Sequence, residues 1–217
     1  MNYLKKLLKD GYISLFLAPF FLILTFLLLA YSKEESHLLL NAFHSVPADM
    51  FFKYCTHLGD GAFFAVFIVI FSFVRLRWSL YIASAALMTL VSVYVLKKQL
   101  FKGMPRPSAY IDVDLLHLVE GVKMHSTNSF PSGHTITAFA IFIILALISK
   151  KGYIRSFFVL VAVLAGYSRV YLSQHFIVDI YFGALIGIVI AVFSCTLIDN
   201  WLGQKTWVDK TLLDLKK

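Results

Sequence analysis

Charge is scarce in this chain. Only 15% of its 217 residues are charged, 20 basic against 12 acidic, while 59% are hydrophobic and the mean hydropathy is +0.79. A water-soluble domain of this length needs far more polar surface to cover itself, so that class is excluded. Cysteine is nearly absent. Cys55 and Cys195 stand in widely separated regions, outside any metal-ligand spacing, and read as two unpaired structural thiols. There is no low-complexity tract and no clear internal repeat. No small-residue cleavage site follows the first hydrophobic run, which comes after Lys5, Lys6 and Lys9. That run is expected to be a retained span and not a removable signal peptide.

What the chain has instead is hydrophobic runs near the length of a membrane crossing. Six are drawn, at 13–31, 61–74, 78–96, 134–149, 156–171 and 177–199. The second and fourth are short for a bilayer, so their ends are expected to reach into the flanking loops. The expected fold class is all-α: a polytopic membrane protein with six transmembrane helices, residues 1–217 forming one membrane-embedded domain. Placing both termini in the cytoplasm puts Lys5, Lys6, Lys9, Arg75, Arg77, Lys150, Lys151, Arg155, Lys205, Lys210, Lys216 and Lys217 inside, twelve of the twenty basic residues. Of the eight left outside, Lys97, Lys98, Lys102, Arg106 and Lys123 sit in the 97–133 loop, and the others are Lys33, Lys53 and Arg169. A basic cluster that opposes the positive-inside bias points to a task other than topology.

Three polar clusters share that outer face. In "KKQLFKGMPRP", Lys97 to Pro107, prolines stiffen a basic loop whose arginine offers a planar fork to phosphate oxygens. On its own it favours the plainer reading of an ordinary basic loop beside anionic headgroups. In "FPSGHT", Phe130 to Thr135, Ser132 is placed to cap a helix and Gly133 lets an anion approach the helix start, with His134 in the first turn. A capped helix with an interfacial histidine is the equally plain alternative. In "SRVYLSQHFIVD", Ser168 to Asp179, His175 and Asp179 are four apart, so at the start of a helix they share a face and the carboxylate can orient the imidazole. Arg169 and His175 would diverge on one continuous helix, so a turn near Ser173-Gln174 is expected between them. Together these parts suit phosphoryl transfer, where catalysis is mostly positioning and charge neutralisation. They suit a metal site poorly, because lysines and arginines surround the would-be ligands.

The last two clusters resemble the signature of the type 2 phosphatidic acid phosphatases, which share their active site with the vanadium-dependent haloperoxidases. Pro131-Ser132-Gly133-His134 matches the second part, and Ser168-Arg169, His175 and Asp179 match the third with both spacings kept. The first part, a lysine seven residues before Arg-Pro, departs: Arg106-Pro107 is present, but Gln99 holds the lysine position. With one residue absorbed in the loop the role is carried to Lys98, Lys97 standing one residue further off. The resemblance implies that His175 attacks phosphorus to form a phosphohistidine, with Asp179 orienting it. It implies that His134 protonates the departing alkoxide and later activates water. Lys98, Arg106, Ser132, Gly133 and Arg169 would hold the phosphate oxygens, with no cofactor.

The expected function is therefore a lipid phosphatase of the bacterial cytoplasmic membrane, acting on its periplasmic face. Lipid A, at its 1- or 4′-phosphate, is the favoured substrate. Undecaprenyl pyrophosphate and phosphatidylglycerol phosphate are the alternatives. Rivals of another class are an anion transporter and a catalytically inactive lipid binder. His37, His44, His57, His117 and His125 are expected to be solvated or interfacial, and Asp60-Gly61 a helix-start turn.

Overall fold

The computed structural model describes residues 2–216; Met1 and Lys217, the last of the expected inner-face lysines, lie outside the described residues. Among the described residues there is no strand. Ten α-helices follow in order: α1 Tyr3–Lys9, α2 Gly11–Ala30, α3 Lys33–Asn41, α4 Val46–Cys55, α5 Ala62–Ser72, α6 Leu76–Tyr94, α7 Pro107–Tyr110, α8 Gly133–Ile148, α9 Gly152–Tyr171 and α10 Ile177–Leu202. Each of the six expected spans falls on a helix. Four of them, α2, α6 with its extension to Leu100, α9 and α10, are long and apolar enough to cross a membrane. The second expected span is part of a broken element: α4 and a 3₁₀ turn run to Gly59, and α5 leaves at 64° to them.

Helix α8 explains why the fourth span looked short. Its 16 residues reach about 24 Å at 1.5 Å per residue. It is apolar on every side, and Thr135 through Leu147 are all buried in protein. It is the central post of the bundle, packed chiefly against α9 and α10. The close approach is set by small residues. A Cβ added at Gly187 of α10 would stand 2.7 Å from the Ile136 carbonyl oxygen, and one at Gly166 of α9 would stand 3.2 Å from Phe139. The outer surfaces of the other helices remain apolar, as with Leu22, Phe26, Leu87, Leu90, Val189 and Phe193, which suits a lipid environment.

The two ends of the bundle differ in how charge is handled. At the end where α8 finishes, Lys6 donates to the Leu147 carbonyl at 2.5 Å and Arg155 pairs with Asp10 at 2.5 Å. There too Arg77 pairs with Asp199 at 2.9 Å and with Asp209 at 2.7 Å. A 530 Å³ cavity lies among these groups, its arginines already matched by carboxylates. The opposite end, where α8 begins, carries the three polar clusters.

Candidate active site

Helix α9 ends at Tyr171 and the chain turns back through Leu172–His175, with Ser173 in the left-handed region at φ +51°. The Arg169 carbonyl accepts from the amides of both Gln174 and His175, at 2.9 and 3.0 Å. The turn expected between Arg169 and His175 is therefore present, and it folds the histidine back toward the arginine. Ser173 is held there by side-chain bonds from Asn41 and His37, each at 3.2 Å. His37 is fully buried, contrary to the solvated role expected of it. Packing α3 against this turn is what covers it.

His175 lies two residues before α10, with Phe176 as the cap between, and so outside the helix it was expected to start. Asp179, in the first turn, does two things. Its Oδ2 accepts from the Phe176 amide at 3.0 Å, capping the helix, and faces His175 Nδ1 at 3.2 Å. Ser129 donates to the same carboxylate oxygen. With Nδ1 turned to Asp179, the imidazole is left with Nε2 as its free nitrogen. His175 is only 1% exposed, and burial holds its pKa well below the ordinary histidine value. The charges of Lys97, Arg169, Arg106 and His134 push the same way. The side chain is a neutral, oriented imidazole.

Three cations surround it, and no carboxylate among the described residues lies within ion-pair distance of any of them. Arg106 is 9% exposed; its Nε donates to the Thr127 carbonyl at 2.9 Å and one terminal nitrogen to the Gln174 carbonyl at 3.0 Å. Burial lowers its pKa, with Asp179 acting in the opposite sense. Arg169 is 6% exposed and donates to Thr56 Oγ1 at 2.5 Å, while its Nε has no partner. Lys97 donates to the Asn128 carbonyl at 3.1 Å. Buried charge without a counter-charge is costly, so this cluster is built for an anion that comes and goes.

The structure separates Lys98 from Lys97 in placement. The end of α6 widens into a π-helical turn over Val95–Leu100, which rotates Lys97 inward and leaves Lys98 exposed. Ser132 and Gly133 are where they were expected. The Ser132 hydroxyl accepts from the Thr135 hydroxyl at 2.8 Å and from its amide at 3.4 Å, capping α8. A Cβ on Gly133 would meet the Val93 side chain at 3.7 Å, an ordinary contact, so the backbone at this helix start is not crowded. The Ser132 amide donates to the Asp179 carbonyl at 3.1 Å, locking the α8 start to the α10 start.

His134 brings in a residue that the sequence reading set aside. Its Nε2 faces Asp60 Oδ1 at 2.8 Å, and the other oxygen of Asp60 faces His57 Nδ1 at 2.8 Å. A lone Asp-Gly dipeptide carries no signal for this, because the pairing is created by the bend between α4 and α5. Two more of the histidines set aside are engaged: His117 faces Asp49 at 2.9 Å and stacks on His44 with ring centroids 3.7 Å apart. A cavity of 230 Å³ opens over His134 and Arg169, bordered by Asp60, Thr56, His57 and Gln174. On the other side of the site a 500 Å³ groove walled by Leu96, Phe101, Phe130 and Phe182 reaches Ser129 and Asp179, with Lys33 at its edge.

An oriented histidine, a second histidine on a carboxylate and a cradle of unmatched cations form an arrangement that suits phosphoryl transfer. The PAP2 superfamily model matches residues 77–202, more than half of the chain, and includes Lys97, Arg106, His134, Arg169, His175 and Asp179. The chain belongs to the PAP2 superfamily and is a hydrolase acting on lipid phosphates. Among solved structures it is similar to LpxE from Aquifex aeolicus, with 28% identity and a TM-score of 0.67 over 76% of this chain and 96% of that one. It shares its fold with a transmembrane PAP2-type phosphatidylglycerolphosphate phosphatase from Bacillus subtilis, at 23% identity and a TM-score of 0.54 over 90% and 97% of the two chains. A search of curated proteins finds no match.

Proposed function

We propose that this protein removes a phosphate from a lipid headgroup at the outer, periplasmic face of a bacterial cytoplasmic membrane, through a phosphohistidine on His175. The observation that carries this is the neutral, Asp179-held His175 within a ring of cations that lack carboxylate partners. The phosphate oxygens are taken by Lys97, Arg106, Arg169, the Ser132 hydroxyl and the Gly133 amide. His175 Nε2 attacks phosphorus, and the bond to the lipid oxygen breaks as His134 gives that oxygen its proton. Neutral His134 then takes a proton from the water that attacks the phosphohistidine. The P–N bond breaks, phosphate leaves, and both histidines return to their starting states.

Topology follows from the basic residues, which collect at the end of the bundle away from His175, together with the six-span reading. The substrate favoured is a phosphate of lipid A. The outer loop is basic and long enough to meet a large sugar headgroup, and the neighbour that is a phosphatidylglycerolphosphate phosphatase is the less similar of the two. Phosphate release by the purified protein in detergent with EDTA tests this, using lipid A, undecaprenyl pyrophosphate and phosphatidylglycerol phosphate beside His175→Ala. Release from lipid A above the others, lost in the variant, is expected. A clear preference for one of the other lipids overturns the substrate, and no release from any folded preparation overturns the enzyme.

A further inference from the structure

Asp60 carries two imidazoles, one on each oxygen. His134 occupies Oδ1 at 2.8 Å and faces the cavity, while His57 occupies Oδ2 at 2.8 Å with 62% of its side chain exposed to solvent. Neither Asp60 nor His57 lies within the residues 77–202 that match the family. Both reach the site through the 3₁₀ turn Thr56–Gly59 between α4 and α5. That turn is pressed against the start of α8, since a Cβ at Gly59 would stand 2.7 Å from the His134 carbonyl oxygen. The chain has thus built a specific contact between a broken span and its second histidine.

We infer that Asp60 is a positioning residue for His134, holding it as a proton donor, and that His57 modulates that hold from the solvent side. This rests on the role given to His134 above. A carboxylate at hydrogen-bond distance favours the imidazolium form of its partner, and it fixes the ring so that one nitrogen alone is free for exchange. His57 draws on the same carboxylate. Its contact with Oδ2 takes a share of the Asp60 charge and weakens the hold on His134. The charged side chains facing this pair are all positive: Lys53 from α4, Lys97 from the turn that ends α6, Lys123 from the outer loop and Arg169 from α9, with the imidazoles of His125 and His175 beside them. Asp60 is the one carboxylate bordering the cavity among the described residues, so its charge decides the balance.

The two residues predict opposite effects. Asp60→Asn removes the charge that favours protonated His134, and His57→Ala frees that charge for His134 alone. The test pairs two measurements on the full chain in detergent. The first is the titration of the His134 ring by nuclear magnetic resonance, which needs no substrate. The second is the pH profile of kcat and KM with a lipid phosphate. Asp60→Asn is expected to move the His134 titration, and the basic limb of kcat, to lower pH. It should reduce kcat by about 10²-fold with KM within about 3-fold, the usual weight of one general acid. His57→Ala is expected to move both to higher pH. Asp60→Glu, which keeps the charge, should recover part of the kcat and separates positioning from misfolding. Titrations that stay put or move the same way in both variants overturn the inference. Opposite shifts in a wild-type protein that releases no phosphate would leave the pairing standing and sink the proposed function.

Discussion

At the scale of single residues, the cluster that matches the family signature was legible because its spacing is strict. His134, Arg106, Arg169, His175 and Asp179 all gather around one point, and the turn at Ser173 was demanded by the six-residue step from Arg169 to His175. Lys98 is exposed where counting along the chain favoured it over Lys97, because that count assumes a regular helix and the π-helical turn at Val95–Leu100 breaks it. The consequence is testable. Lys97→Met is expected to lower kcat/KM by about 10²-fold through loss of a charge-assisted phosphate contact, while Lys98→Met should stay within about 2-fold. Equal losses in the two variants would contradict the inward placement of Lys97.

His37 was misread for a related reason: short polar helices outside the spans look solvated until something is packed on them. It is 0% exposed, and burial pushes its pKa down to about 4. The folded protein therefore keeps His37 neutral at a pH where the unfolded chain takes up a proton, below its ordinary value of about 6.5. The stability this supplies is complete above about pH 6.5 and is lost as pH falls toward 4. His175, also buried and neutral, adds to the same slope. In detergent, thermal unfolding of His37→Gln should depend less steeply on pH across this window than the wild type does. Identical slopes would show that His37 takes up its proton without unfolding.

At the scale of elements, all six hydrophobic stretches mark helices, because a long apolar run is recognised whatever surrounds it. Which helix stands at the centre was less visible. Helix α8 is short and uniformly apolar, and its central position rests on the glycines of its neighbours, whose meaning depends on which backbone they meet. Gly187 meets the Ile136 carbonyl oxygen and the Phe139 side chain, both at 2.7 Å from an added Cβ. Gly187→Val should therefore force α10 away from α8 and, with it, Asp179 away from Ser132. Overpacking of this kind costs about 1–3 kcal/mol. The expected result is a lower unfolding temperature with loss of activity, beside an unchanged Gly11→Ala, where an added Cβ meets nothing within 4 Å. A Gly187→Val protein as stable and active as the wild type would show that the α8–α10 contact does not place the site.

At the scale of the whole molecule, the chain separates matched from unmatched charge. Arginines at one end of the bundle are neutralised by Asp10, Asp199 and Asp209, whereas Lys97, Arg106 and Arg169 at the other end have no carboxylate within ion-pair distance among the described residues. Hydropathy and basic-residue counts show that there are two faces. They do not show which cations are already satisfied, since those partners come from distant segments. The break between α4 and α5 is likewise a property of the assembled bundle, and it delivers Asp60 and His57 to the site.

The central claim is that His175 itself carries the phosphoryl group between lipid and water. The most direct measurement is peptide mass spectrometry of enzyme quenched by denaturation during turnover of a lipid phosphate, wild type beside His175→Ala. A phosphoryl group on the peptide containing His175, absent from the variant, is the predicted result. Phosphate release from the wild type with no phosphoryl group on the chain, or with one on His134, would contradict the account.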